Sequence, residues 1–209
     1  MNSVIIIGAG GFGMEVLWLA ERCGKRVLGF LDDTPGKINS EIMGYPVLGE
    51  VSSWSSYEKS EFIVAIGSPR GRKAVIEKMK SSGVPAFATL IDPNAIVGKE
   101  VVIGAGSIIC AGVICTVAIS IGCHVVVNLN STIGHESTVG DFCTIAPNAS
   151  ISGNVCLESC VEIGTGAKIR EKISVKSGSV LGMGSVLVKD LESNKVAVGN
   201  PARVIREVG

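Results

Sequence analysis

One short segment of the sequence places a histidine directly before an acidic residue. His135 and Glu136 lie in the stretch 133–138, which reads Ile-Gly-His-Glu-Ser-Thr, and the chain has only two histidines in 209 residues. An imidazole can act as a general base near neutral pH, and an adjacent carboxylate can set its tautomer and orientation. The pair therefore indicates a proton-transfer centre. A solvated surface histidine is the alternative interpretation, and the neighbouring glutamate argues against it.

A second candidate site is a glycine-rich turn near the start of the chain. The stretch 8–13 reads Gly-Ala-Gly-Gly-Phe-Gly and follows an apolar segment. Asp32 and Asp33 end the next apolar segment, roughly 20 residues further on, as in the βαβ fingerprint for nucleotides. In that fingerprint the glycines allow close approach of a phosphate, and the acid binds a ribose hydroxyl. Three interpretations stay open: a dinucleotide site of an oxidoreductase, a purely structural turn, and a half-size nucleotide-sugar site.

The elements around this turn predict a small α/β domain. We expect strands at 3–7, 27–31 and 62–66 and helices at 14–23 and from 69 or 70 to 82. The third strand runs into Gly67 and Ser68. A region of 88 residues is too short for two mononucleotide-binding halves, so the prediction is a half-Rossmann domain over residues 1–88.

The rest of the chain is a six-residue repeat. In the 16 hexads that begin at Ile91, the first position is Ile, Val or Leu in all but one, and the fifth is always Ala, Ser, Val, Ile or Cys. The fourth position is Gly or Asn in nine hexads, and these residues tolerate the left-handed conformation of tight corners. Each hexad then forms a short strand and a corner, and three hexads close one coil. We therefore predict a parallel β-helix over residues 89–209 with little more than five coils.

The repeat also places the candidate base. His135 is at the third position of its hexad, whereas the first and fifth positions face inward, so its ring should leave the core. Gly153 lies 18 residues later, one coil further along, and coils stack about 4.8 Å apart. A glycine above the imidazole would leave room for a substrate. The other histidine, His124, is at a fourth position and is expected to form a corner.

Composition narrows the function classes. Lys plus Arg and Asp plus Glu both number 19, so no basic excess indicates nucleic acid or an anionic membrane surface as a partner. Seven cysteines without a CxxC pair are interpreted as reduced thiols of a cytoplasmic protein. We see no leader segment, no membrane-spanning apolar run and no cluster of metal ligands, so no metal is expected.

The hexads at 91–187 resemble those of the left-handed β-helix acyltransferases, and the whole chain resembles the sialic acid O-acetyltransferase family. That family includes N-acetyltransferases that act on UDP-linked 4-amino sugars. General connection rules favour right-handed crossovers. The left-handed winding is therefore implied by the resemblance alone. The resemblance implies a homotrimeric enzyme that transfers an acyl group from acetyl-CoA or another acyl-CoA. The acceptor would be a UDP- or dTDP-linked 4-amino-4,6-dideoxy sugar of bacterial surface glycan biosynthesis.

The resemblance also implies roles for individual residues. His135 matches the catalytic base and Glu136 the carboxylate that orients it. The residues implied to bind the nucleotide sugar are Gly8, Gly10, Gly11, Gly13, Asp32, Asp33, Gly67 and Ser68. Those implied to bind acyl-CoA are Thr144, Gly153, Gly164, Gly182, Gly184 and Arg203.

Thr144 is a departure from the family pattern. Nine residues after the catalytic histidine, the better-known amino-sugar members have a second histidine that contacts the acyl carbonyl. A threonine hydroxyl can still donate one hydrogen bond there. Two other functions remain open: O-acetylation of a sialic acid by the same base, and a non-catalytic β-helix that binds nucleotide sugars.

Overall fold

A computed structural model describes residues 3–209, so the first two positions of the expected N-terminal domain lie outside it. The chain first forms a five-stranded sheet with helices and then a long coil of short strands. The strands of the first sheet are β1 Ser3–Ile7, β2 Arg26–Leu31, β3 Glu41–Ile42, β4 Tyr45–Gly49 and β5 Glu61–Val64. The helices are α1 Gly11–Arg22, α2 Pro69–Ser81 and a 3₁₀ helix at Val51–Tyr57.

The first sheet has the order β3-β4-β2-β1-β5, and β4, β2, β1 and β5 are parallel. Residues 4–7 of β1 are fully buried, as expected for a central strand covered on both faces. Helix α1 begins at Gly11 and not at the expected Met14, because the Met14 N–H donates to the Gly10 carbonyl at 3.1 Å. The sequence interpretation did not include the β3–β4 hairpin, which extends one edge of the sheet.

The coil forms three parallel sheets, one on each side of a triangular prism. The first coil sheet contains β6 Leu90–Ile91, β9 Ile108–Ile109, β12 Val126–Val127, β15 Thr144–Ile145, β18 Glu162–Ile163 and β21 Val180–Leu181. The second contains β7 Ile96–Val97, β10 Ile114–Cys115, β13 Thr132–Ile133, β16 Ser150–Ile151, β19 Lys168–Ile169 and β22 Val186–Leu187. The third contains β8 Val102–Ile103, β11 Ser120–Ile121, β14 Thr138–Val139, β17 Cys156–Leu157 and β20 Ser174–Val175.

The corners of the coil confirm the expected use of the left-handed backbone. Fourth-position asparagines such as Asn130 and Asn154 have φ of 58° and 57°. Residues with larger side chains, including His124, Glu136 and Phe142, have similar values of 56°, 57° and 62°. The left-handed conformation costs a non-glycine residue about 1 kcal/mol, so the stacked coil imposes it even where the residue type does not favour it.

The fifth positions carry buried serines that connect neighbouring coils. The Ser137 hydroxyl, for example, donates to the Ser152 carbonyl at 3.1 Å and accepts from the Val155 N–H at 3.2 Å. These bonds satisfy a polar group that is fully buried. A serine at this position therefore suits the narrow interior of the coil without leaving an unpaired hydroxyl.

The N-terminal sheet unit packs against the first coil sheet. Leu90, Ile108 and Val126 point outward from that sheet and are buried in one cluster with residues of β1 and α1. The same hexad position on the other two coil sheets stays exposed at Ile96 and Val102. An Arg22–Asp92 ion pair, with Nε and Oδ2 2.6 Å apart, supports the same contact.

The chain ends in a hairpin along the first coil sheet. Its strands are β23 Lys195–Gly199 and β24 Ala202–Glu207, which pair antiparallel, and β23 pairs with β21. Within residues 3–209, neither helix has the length and apolar character needed to cross a membrane.

Candidate active site

His135 and Glu136 form a hydrogen-bonded pair on the outside of the coil. They lie in the corner between β13 and β14, called here the His135 corner, and their side chains are 58% and 61% exposed. His135 Nδ1 is 2.9 Å from Glu136 Oε2. If Nδ1 carries the proton, the unprotonated Nε2 is left to accept one from a substrate.

A third residue holds the carboxylate of this pair. Asn154 lies one coil beyond Glu136, and its Nδ2 donates to Glu136 Oε2 at 3.1 Å. The hydrogen bonds from His135 and then Asn154 lower the pKa of Glu136 below its usual value, which keeps it ionised. The sequence interpretation treated Asn154 only as a corner residue. Its signal was available, because the 18-residue coil spacing stacks position 154 on position 136.

Gly153 lies directly over the imidazole, as the coil spacing predicts. A Cβ atom at this position would come within 2.5 Å of His135 Nε2. Any side chain at residue 153 would therefore displace the ring or cover its free nitrogen. The glycine leaves Nε2 accessible from the side that the carboxylate does not occupy.

The glycine-rich turn borders a cleft of about 570 Å³ in the N-terminal unit. Gly8 has a φ of +102°, and a Cβ at Gly13 would lie 2.2 Å from the Gly8 carbonyl oxygen. These two glycines therefore allow the close packing of α1 on β1. Gly10 and Gly11 face open space, so their backbone is accessible at the N-terminus of α1.

The two aspartates at the end of β2 differ in their surroundings. Asp32 is buried, and its carboxylate accepts from the Ala9 N–H at 2.6 Å and the Thr34 N–H at 2.7 Å. Burial alone would raise its pKa, but the bonds from Thr34, Ala9 and Lys37 outweigh it and bring the pKa to about 2. Asp33 is half exposed at the same cleft and accepts from the Val51 N–H at 2.8 Å. Asp32 thus secures the glycine-rich turn, while Asp33 is more accessible.

Gly67 and Ser68 join β5 to α2 beside the cleft. Ser68 caps α2 by accepting from the Gly71 N–H at 3.4 Å. The Gly67 carbonyl accepts the hydroxyl of Thr144 at 2.7 Å. Thr144 therefore faces the N-terminal unit, and its only hydroxyl proton is used in this contact.

The remaining residues expected to bind acyl-CoA lie elsewhere on the coil. Gly164, Gly182 and Gly184 stack in the corner between the first and second coil sheets, called here the Gly164 corner. A Cβ at Gly164 would lie 2.5 Å from the Met183 amide nitrogen, whereas Gly184 faces open space with a φ of +66°. Arg203 is exposed on β24.

The structure thus divides the expected site residues into three groups. His135, Glu136 and Gly153 lie together at one corner of the coil. The three glycines of the Gly164 corner lie together at another. The cleft and Thr144 lie at the N-terminal unit, which contacts the corner between the third and first coil sheets. We call this the His124 corner (residues 122–125 and 140–143). The three groups are not brought together within a single chain.

The second histidine forms part of that third corner and is buried. His124 lies between Phe87, with ring centroids 4.6 Å apart, and Phe142, at 5.4 Å. Its Nδ1 has no hydrogen-bond partner among the described residues. Burial, with the charges of Lys80 and Arg72, lowers its pKa to about 4. The ring is therefore neutral near pH 7 and packs as a core group.

Comparison with known proteins finds matches for the N-terminal unit and for the whole chain. The PglD N-terminal domain family matches residues 3–79. The acetyltransferase domain of PglB from Neisseria gonorrhoeae FA1090 is 31% identical, with a TM-score of 0.89 over 98% of this chain and 100% of that one. A perosamine N-acetyltransferase variant from Caulobacter crescentus, solved with CoA and GDP-perosamine, is 27% identical, with a TM-score of 0.91 over 99% and 98%.

The curated relatives match a shorter segment. Galactoside O-acetyltransferase of Escherichia coli K12 is 44% identical over 48 residues, which are 23% of this chain and 24% of that protein. The chain thus matches about a quarter of the length of these relatives. The full-length structural matches confirm the left-handed β-helix that the resemblance implied. With 31% identity over the whole PglB acetyltransferase domain, beside the PglD N-terminal match, the chain belongs to the acetyltransferases of the hexapeptide-repeat, left-handed β-helix family.

Proposed function

We propose that this protein is an acyl-CoA-dependent N-acyltransferase that acts on a nucleotide-linked amino sugar in bacterial surface glycan biosynthesis. Residues 1–88 form the nucleotide-sugar-binding domain and residues 89–209 the acyltransferase domain with its tail. The observation that carries the proposal is the exposed His135–Glu136 pair with Nε2 open beneath Gly153. The C. crescentus relative was solved with CoA and GDP-perosamine, which supports this pair of substrates and adds GDP to the UDP and dTDP carriers expected.

The reaction would be a direct transfer in a ternary complex. The sugar amine attacks the thioester carbonyl carbon, forming a C–N bond, and His135 Nε2 takes the proton from the amine. The C–S bond then breaks and the CoA thiolate leaves, taking up a proton. Glu136 stabilises the imidazolium that forms, and Asn154 holds Glu136 in place. None of these steps requires a metal ion.

The proposed contacts follow the expected groups. Gly153, Gly164, Gly182, Gly184 and Arg203 would line the acyl-CoA groove, where glycines allow the pantetheine arm close to the backbone. The glycine-rich turn, Asp32, Asp33, Gly67 and Ser68 would hold the nucleotide sugar. For Thr144, contact with the acyl carbonyl would require its hydroxyl to leave Gly67.

A homotrimer would bring these groups together. The expected site residues lie at separate corners of one chain, so a complete site needs corners from neighbouring chains. Exposed apolar side chains support an interface beside the base: Val117 is one coil below His135, and Ile96, Val102 and Ile114 lie on the adjoining sheets. We also propose a cytoplasmic location, which is compatible with seven free cysteines.

An acceptor and donor screen tests the proposed function. UDP-, dTDP- and GDP-linked 4-amino sugars and free sialic acid would be incubated with acetyl-CoA or longer acyl-CoA, and thiol release would be measured. We expect transfer to a nucleotide amino sugar that depends on His135, and light scattering at three times the chain mass. Transfer to sialic acid alone would support the O-acetyltransferase alternative. Nucleotide-sugar binding without transfer would indicate a non-catalytic binding protein.

A further inference from the structure

An arginine is buried between the N-terminal unit and the coil. Arg72 of α2 is 1% exposed and faces main-chain carbonyls. Its Nη1 donates to the Ile66 carbonyl at 2.5 Å and the Gly67 carbonyl at 3.1 Å, both on the segment that follows β5. Burying a cation costs free energy unless its N–H groups are hydrogen-bonded. The carbonyl acceptors around Arg72 offset this cost, and only this arrangement of the chain supplies them.

The same guanidinium reaches the His124 corner of the coil. Nε donates to the His124 carbonyl at 2.8 Å, and Nη2 donates to the Phe142 and Cys143 carbonyls at 2.8 and 3.0 Å. One planar side chain thus bonds two adjacent coils and the N-terminal unit together. The fixed fork of an arginine can do this, whereas the single ammonium of a lysine cannot reach all these acceptors.

Thr144 completes this set of contacts. Its Oγ1 accepts from Arg72 Nη2 at 3.0 Å and donates to the Gly67 carbonyl at 2.7 Å. A threonine hydroxyl has one proton to donate. While that proton is bonded to Gly67, Thr144 has none for an acyl carbonyl.

The two carbonyls held in this way lie in and directly after a wall of the cleft. Ala65 and Ile66 line the cleft beside the glycine-rich turn, and Gly67 follows them directly. A shift of this segment would change the width of the cleft and its orientation relative to the coil. A displacement of about 1 Å in a positioning element can cost a large part of an enzyme's rate.

We infer that Arg72 and Thr144 are positioning residues for the acceptor: they fix segment 65–67, which includes the Ala65–Ile66 wall of the nucleotide-sugar cleft, against the coil. This inference rests on the proposed function, because it takes the cleft to be the acceptor site. It assigns Thr144 to the acceptor side of the reaction, through Gly67, and not to the acyl donor. The threonine in place of a family histidine then has a role of its own in this chain.

Substitutions of Thr144 test the inference. Thr144→Val keeps the shape of the side chain and removes the hydroxyl, whereas Thr144→Ser keeps the hydroxyl. We expect the valine variant to raise the acceptor KM roughly fivefold to tenfold, as for the loss of one or two hydrogen bonds, with the acyl-CoA KM within twofold. The serine variant should restore the acceptor KM. Thr89→Val also removes a threonine hydroxyl that donates to a glycine carbonyl, that of Gly104 at 3.4 Å, but Thr89 does not line the cleft; it is the matched control and should change neither KM.

If Thr144→Val raises the acyl-CoA KM and leaves the acceptor KM unchanged, the inference is wrong. Thr144 would then contact the acyl donor, as the family resemblance implies. Calorimetric titration with UDP, dTDP and GDP separates this failure from failure of the proposed function. If the wild type binds a nucleotide and Thr144→Val binds it equally well, the positioning role is wrong. If the wild type binds none of the three and acylates no nucleotide sugar, the cleft is not an acceptor site and both proposals fail.

Arg72→Lys gives a second measurement. We expect it to raise the acceptor KM at least as much as Thr144→Val, because several bonds to the 66–67 carbonyls and the coil are lost together. Thermal melting would check that the variant is folded. A folded Arg72→Lys variant with both KM values unchanged would contradict the inference.

Discussion

The two histidines of this protein occupy neighbouring corners of the same coil and have opposite environments. His135 is exposed, and its Nδ1 is paired with Glu136. His124 is 3% exposed between two phenylalanine rings, and its Nδ1 has no partner among residues 3–209. His135 is at a third hexad position and His124 at a fourth, with a left-handed backbone, but both lie in corners of the coil. The side chains around each ring therefore decide which one is available for chemistry.

The difference follows from what covers each corner. The His124 corner is covered by the N-terminal unit, which adds Phe87 and the buried Arg72 beside the ring. At the His135 corner the histidine and Glu136 are exposed, and Glu136 and Asn154 are stacked along it. One corner therefore supports packing and domain contact, and the other offers a polar, accessible nitrogen.

Replacement of His135 is expected to have the largest effect on catalysis. His135→Asn should lower kcat roughly 10²- to 10⁴-fold, the usual contribution of a positioned acid–base group. In this variant, the part of the kcat/KM pH profile that reflects titration of the base should become flat. Binding of acyl-CoA, measured by calorimetry, should be retained. If kcat stays near that of the wild type, the base is another group, and the free amine of the substrate becomes the candidate.

Glu136→Gln should have a smaller effect, because it removes the charge that stabilises the imidazolium and leaves the base in place. The loss of a charge-assisted hydrogen bond at an exposed site should lower kcat about tenfold. The KM values for both substrates should change little. A loss as large as that of His135→Asn would show that the carboxylate takes a direct part in the reaction.

Asn154→Gly should have a smaller effect again. Glycine accepts the left-handed backbone at this corner, so the variant removes the amide without straining the chain. Loss of the bond to Glu136 Oε2 should lower kcat roughly twofold to fivefold. Asn130 has the same backbone conformation at another corner, so Asn130→Gly is the control. Equal effects of the two variants would mean that Asn154 acts only on the stability of the coil.

His124→Asn should leave kcat unchanged and alter stability. Because the pKa of His124 is lowered to about 4 in the folded chain, the unfolded chain binds more protons between about pH 4 and pH 6.5. The free energy of unfolding of the wild type therefore falls as the pH drops through this window, by about 2 kcal/mol at pH 5. The asparagine variant has no such titrating group, so it lacks this decrease. Denaturant unfolding should show a smaller stability difference between wild type and variant at about pH 5 than at about pH 7.5. A difference that does not depend on pH would mean that folding does not lower the pKa of His124.

Much of the fold could be predicted from the sequence because the repeat is strictly local. Each hexad has an inward first and fifth position and a corner at the fourth, so the strands of the coil and the stacking of Gly153 over His135 follow from counting. The β3–β4 hairpin was missed, because its short strands lack a clear alternating pattern. The start of α1 was placed three residues late, because glycines at 11 and 13 weaken the helix signal and the Gly10 cap is a backbone feature.

The sequence alone predicts the β-helix, the glycine-rich turn and the His135–Glu136 pair, since each depends on residues that are close in sequence or one coil apart. The position of the N-terminal unit on the coil follows only from the folded structure. That contact uses the outward face of the first coil sheet and the carbonyls at Gly67 and His124, and a carbonyl is present in every residue and leaves no mark in the sequence. For the same reason the bonds of Arg72 to the coil and of Thr144 to Gly67 could not be foreseen, because they join carbonyls 52 to 77 residues away.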